Sequence, residues 1–235
     1  MRHLSHKLQS GAFYASLVLI GSIPGLFIPF EDQTLGSINR LIGGFVLLLW
    51  LLSVAATGRL RRLSLFHLLA IAFALWYVLS VTWSVAPDDT PFTANLVEGV
   101  LLSIMLWDIY RTRERLEAGM QAFLLGGFLS ITTTVFNFLH GQQARHWEKR
   151  FAGSGFDPND IALLLAIGIP MATYLATRRH SPPALRALNF AYPIGAALAI
   201  ILSGSRGALL AAAPAYLFYV VRMARLSRAW GGVYA

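Results

Sequence analysis

Arg150 and Arg206 are the residues of this chain whose types and surroundings are best equipped for chemistry. Arg150 belongs to "RHWEKRFAGSGFDPND" (145–160), a basic, aromatic, glycine-broken stretch between two long apolar runs. Arg206 belongs to "SGSRGAL" (203–209). A guanidinium presents a planar fork of donors that grips phosphate oxygens in pairs. In the first stretch Asp157 suits an N-cap, Pro158 the first helical position and Asp160 the third, so a helix should begin there with Arg150 carried on a loop at its mouth. Gly153 and Gly155 permit a bent, close-lying backbone just before it, and a helix N-terminus favours anions. In the second stretch small residues break one helix, and Arg206 stands at or near the start of the next. An arginine at membrane depth costs roughly 2.5–3.5 kcal/mol unless it faces water, a partner or an anion. Two arginines delivered to one side by separate helices could clamp a diphosphate. The plainer readings are a capped loop whose cations touch lipid headgroups and an arginine snorkelling to the interface.

The elements that must position these residues lie in a membrane. In 235 residues, 56% are hydrophobic and 13% charged, and the mean hydropathy of +0.60 excludes an ordinary soluble globule. Cysteine is absent, which excludes disulfides and thiolate metal sites. The net charge of +8 sits in short clusters between apolar runs, a pattern that orients a chain in a bilayer rather than one that binds nucleic acid. The sequence therefore predicts an all-α fold, a polytopic transmembrane helical bundle, as a single domain over 1–235.

About eight spans are expected, at 11–30, 40–56, 65–83, 95–110, 118–140, 158–176, 188–202 and 208–221. The first has a longer apolar run than a signal peptide and no cleavage site before "EDQTLGSIN", so it reads as a retained anchor. With both termini cytoplasmic, the segments "MRHLSHK", "TGRLRRLS", "RTRERLE", "TRRHSPPALR" and "RMARLSR" place most of the 19 Lys and Arg inside. The outer side keeps Arg40, Arg145, Lys149, Arg150 and Arg206. Cations that defy the inside bias need a reason, and binding an anion at the outer face is one.

At these residues the chain resembles the O-antigen ligase and polymerase superfamily of inner-membrane glycosyltransferases, which take glycans from undecaprenyl diphosphate. "RFAGSGFDPNDIALLLAIGIP" is similar to the family's arginine, glycine and Pro-Asn helix opening, and "SGSRGALL" to its Ser-Arg-Gly turn. "VTWSVAPDDT" (81–90) is similar to its Trp-Ser and acidic loop. The resemblance implies a metal-independent, inverting glycosyl transfer without cofactor at the periplasmic face. Arg150 and Arg206 would then bind the lipid diphosphate and stabilise its developing charge, with Asn159 as a polar neighbour. The acceptor would be a lipid A-core sugar in a ligase, or the end of another lipid-linked glycan in a polymerase. Family members usually continue through further helices and a large periplasmic loop bearing a histidine. This sequence ends at Ala235, so it reads as an N-terminal portion whose catalytic residue is unknown. His140 and His146 fall on the expected side but match no family motif.

Two rival classes remain. Glu98 and Asp108 in the fourth span could mark an ion path of a small transporter, or make local polar contacts near the span ends. A non-catalytic protein could bind lipid-linked glycan without transferring it. "GSIPG" (21–25) reads as a helix-packing and kink motif. Trp83, Trp107 and Trp147 read as interfacial anchors, with Trp147 also placed to stack on a sugar.

Overall fold

In the computed structural model, which describes residues 2–25, 38–84, 90–144, 149–153, 157–178 and 181–231, the fold is all-α. The helices are α1 (Arg2–Gly25), α2 (Ile38–Thr57), α3 (Leu65–Ser80), α4 (Thr90–Ile109), α5 (Arg113–Leu139), α6 (Pro158–Ala176), α7 (Pro183–Ser203) and α8 (Arg206–Gly231). Six of these contain segments long and apolar enough to cross a bilayer: Ile38–Thr57, Phe92–Ile109, Arg113–Leu139, Pro158–Ala176, Pro183–Ser203 and Arg206–Arg225. The chain is a multi-pass membrane protein. Helix α3 is apolar but shorter, at 16 residues.

Hydropathy locates α6 to the residue and misplaces other ends, because it detects the stretch suited to hydrocarbon rather than the hydrogen-bonded helix. Thus α1 already begins at Arg2, α7 begins at Pro183 where a proline suits the first turn, and α8 runs on past its apolar part through Arg222 and Arg225. Residues 26–37, which hold the expected end of the first span, lie outside the described residues.

The chain forms two compact units. Unit 1 comprises Met1–Ser16 and Gly43–Arg115; unit 2 comprises Leu17–Ile42 and Leu116–Ala235. In unit 1, Asp108 near the end of α4 is 7% exposed and accepts from the Trp50 indole N–H at 2.9 Å and the Arg61 backbone N–H at 2.8 Å, and it pairs with Arg111. These bonds pin α2, the 58–64 connection and α4 together. The Arg61 guanidinium lies 3.5 Å from the centre of the Trp107 ring, whose indole N–H donates to the Arg62 carbonyl at 3.1 Å.

In unit 2, α6 is the core helix, and α7 and α8 pack on it. Lipid is as apolar as leucine, so helices associate through close packing and interhelical hydrogen bonds rather than hydrophobic burial. Small residues supply the first: Ala162, Ala166 and Ala172 on α6 meet a cluster that includes Ala196 and Ala199 of α7 and Ala208 and Ala212 of α8. Polar pairs supply the second. Gln121 and Asn189 exchange amide bonds of 3.2 and 2.9 Å between α5 and α7. Glu117 on α5 accepts from the Tyr174 hydroxyl at 2.7 Å and pairs with Arg178.

The "GSIPG" segment packs against α5. A Cβ on Gly25 would lie 3.0 Å from Gly126 Cα, and one on Gly126 would collide with the Gly21 carbonyl. The Ser130 hydroxyl donates to the Pro24 carbonyl, anchoring the chain where the internal proline stands.

Candidate functional site

The sequence builds two helix starts in unit 2. At α6, Asp157 is extended (φ −67, ψ 134) and its carboxylate accepts the Asn159 N–H at 2.8 Å, with Pro158 buried in the first turn. This is the cap that the residues "DPND" dictate. At the other break, Gly204 closes α7 in the left-handed conformation (φ 65) that glycine adopts without strain, and its N–H bonds the Ile201 carbonyl at 3.0 Å. The Ser205 hydroxyl accepts the Ala208 N–H at 3.3 Å, capping α8, so Arg206 is the first residue of that helix and is exposed.

The segment 149–153 is fastened between them. The Phe151 N–H donates to the Leu202 carbonyl at 3.1 Å, and the buried Asn137 amide donates to the Ala152 carbonyl at 2.7 Å. The Phe151 ring meets Phe138 edge-on at 5.1 Å. Lys149 takes a left-handed φ of 47, a conformation that costs a non-glycine residue about 1–2 kcal/mol, while the following carbonyl, of Arg150, accepts the Ala144 N–H at 2.9 Å.

This anchoring aims Arg150. Its Nε donates to the Ser203 carbonyl at 2.7 Å, and an Nη2 hydrogen bond of 2.6 Å reaches Asn159 Oδ1. A Cβ at position 204 would touch Arg150 Cγ at an ordinary 3.5 Å, so it is the left-handed φ of 65, not lack of space, that favours glycine there. One guanidinium therefore links Ser203 at the end of α7, three residues before Arg206, with Asn159 in the first turn of α6, two residues after the Asp157 cap. Lys149 and Arg150 lie on this segment and Arg206 on the adjoining turn, while Asp157 is engaged in its cap and Asp160 is exposed. Two helix N-termini, each equivalent to about half a positive charge, add to these cations. The arrangement suits an anion with several acceptor oxygens.

Arg150 and Asn159 are brought into direct contact, and Arg206 lies on the turn that Arg150 touches. Arg145, His146, Trp147 and Gly155 lie outside the described residues. His140 is exposed; its ring stacks on Phe136 with centroids 4.0 Å apart, and its Nδ1 lies 2.9 Å from the Phe136 carbonyl. Glu98 is exposed on α4, whereas Asp108 is enclosed by its three donors. Asn137 and the Ser203 carbonyl are structural parts of the site that pattern reading passes over. Asn137 carries a signal nonetheless, since an amide within an apolar helix demands a partner.

No family model, curated protein or solved structure matches this chain. Fold and sequence together define a multi-pass, all-α membrane protein with a cationic cluster at the starts of two of its spanning helices.

Proposed function

We propose that the chain binds the diphosphate of an undecaprenyl diphosphate-linked glycan at the periplasmic face of a bacterial inner membrane, as an O-antigen ligase-like glycosyltransferase delivering glycan to lipid A-core. The observation that carries the reading is the Arg150 bridge from Ser203 to Asn159, with Arg206 opening the adjacent helix. Both termini are cytoplasmic in this reading, which the distribution of Lys and Arg supports.

In a transfer, an acceptor hydroxyl oxygen bonds to the sugar carbon and gives up its proton as the bond from that carbon to the diphosphate oxygen breaks, and negative charge grows on the leaving diphosphate. Preorganised donors aimed at that oxygen lower the barrier, and each such donor removed from an enzyme typically costs about 2.7–4 kcal/mol. Arg150 and Arg206 hold the diphosphate, and Asn159 orients Arg150. The same diphosphate chemistry serves a polymerase, whose acceptor is another lipid-linked glycan. Alanine substitution of Arg150 or Arg206 in a cell that depends on this gene should abolish the surface polysaccharide at normal protein level. Unchanged polysaccharide would contradict the assignment.

A further inference from the structure

A second cationic feature lies in unit 1, where α2 and α4 end. A cavity of about 50 Å³ is lined there by Gln9, Trp50, Arg59, Asp108, Arg111 and Arg115, among others. At about 10–15 Å³ for each water-sized group it has room for roughly four, the scale of one phosphate group. Its charges do not balance. Asp108 is the carboxylate in the lining, and it is already engaged by Trp50, the Arg61 N–H and Arg111. Arg115 donates to the Ile109 carbonyl at 3.1 Å and lies 5.1 Å from the centre of the Phe13 ring. The Arg59 guanidinium makes no hydrogen bond or ion pair among the described residues. The C-terminal ends of α2 and α4 offset about half a charge each. Three arginines against Asp108 and two helix ends leave about one positive charge facing the cavity.

The position of the cavity identifies what could neutralise it. Ile38–Thr57 and Phe92–Ile109 are both long enough to cross a bilayer, and the cavity sits at their C-terminal ends, at the depth of lipid headgroups. The Arg61–Trp107 stack beside it is the aromatic and cationic pairing that settles at that interface. A phosphate ester, anionic and with several acceptor oxygens, suits both the surplus positive charge and the guanidinium fork.

We propose that this cavity binds a phosphate ester anion through Arg59 and Arg115, as the headgroup of an anionic phospholipid or as a water-soluble phosphate ester. This goes beyond the diphosphate reading and does not depend on it. The test is native mass spectrometry of the purified full chain, titrated with dioleoylphosphatidylglycerol, with dioleoylphosphatidylcholine and with glycerol 3-phosphate. Dioleoylphosphatidylglycerol should bind more tightly than the choline lipid, weakening about fivefold for each of Arg59→Ala and Arg115→Ala, the scale of one arginine at an anionic surface. Arg62→Ala, exposed and outside the cavity, should bind as the native chain does. Retention of the glycerol lipid with no glycerol 3-phosphate binding identifies a lipid headgroup. Glycerol 3-phosphate binding that Arg59→Ala weakens identifies a soluble ester; both results support the site. Should Arg115→Ala not fold, the exposed Arg59 decides alone. Equal binding of the two lipids without glycerol 3-phosphate binding, or an Arg59→Ala protein indistinguishable from the native one, would overturn the proposal.

Discussion

Arg150 and Asn159 are joined by a hydrogen bond of 2.6 Å from the guanidinium Nη2 to the amide oxygen, while Nε of the same arginine donates to the Ser203 carbonyl at 2.7 Å. Two bonds in fixed, divergent directions need a fork. Arg206, by contrast, is exposed at the head of α8 and its side chain makes no hydrogen bond among the described residues.

The two arginines should therefore respond differently to lysine. An ammonium cannot hold Ser203 and Asn159 together in the guanidinium's geometry, whereas at Arg206 it still supplies a charge. Arg150→Lys is expected to lower affinity for a polyprenyl diphosphate about tenfold or more, the scale of one charge-assisted bond. Arg206→Lys should lose only a few-fold. Titration of both purified variants checks the asymmetry; equal losses would argue against it.

Asp157 holds the start of the core helix of unit 2 through its 2.8 Å bond to the Asn159 N–H. Asp157→Ala should destabilise the protein by about 1 kcal/mol, and Asp157→Asn by much less, because an amide oxygen still caps. Thermal unfolding in detergent separates the two.

Gly126 has no room for a methyl group, because a Cβ there meets the Gly21 carbonyl. Gly126→Ala is expected to cost about 1–3 kcal/mol by forcing backbone apart. Gly44→Ala, with nothing within 4 Å of the added carbon, should be neutral or slightly stabilising. The paired unfolding measurements test whether α1 and α5 pack through small residues.

Asp108→Ala would leave the Trp50 indole N–H and the Arg61 N–H without their acceptor. A loss of about 3 kcal/mol follows from orphaning buried donors. Asp108→Asn, which keeps one acceptor oxygen, should lose less. Unfolding followed by tryptophan fluorescence reads both. If Asp108 served an ion path instead, flux in proteoliposomes would fall in the asparagine variant at unchanged stability.

Much of this was legible in the sequence, for local reasons. "DPND" encodes its own cap, and α6 begins at Pro158 as those residues require. "SGSRG" likewise announces a helix break with Arg206 at or near the next start, and the structure makes that break with a left-handed Gly204 and a Ser205 cap. What was not legible depends on contacts distant in the chain. Neither the Arg150–Ser203 bond nor the Asn137–Ala152 bond follows from spacing, since each needs α5, α6 and α7 already packed. Asp108 shows the same limit: its place near the end of an apolar run suggests access to water, and only the tertiary fold reveals the three donors around it.

Diphosphate recognition by Arg150 and Arg206 is read from the affinity of the purified protein for farnesyl diphosphate, farnesyl monophosphate and farnesol, measured beside Arg150→Ala and Arg206→Ala. The native protein is expected to prefer the diphosphate, and each variant to bind it tenfold or more weakly while farnesol binding is unchanged. Equal affinity for the three ligands, or variants that bind the diphosphate as the native protein does, would contradict it.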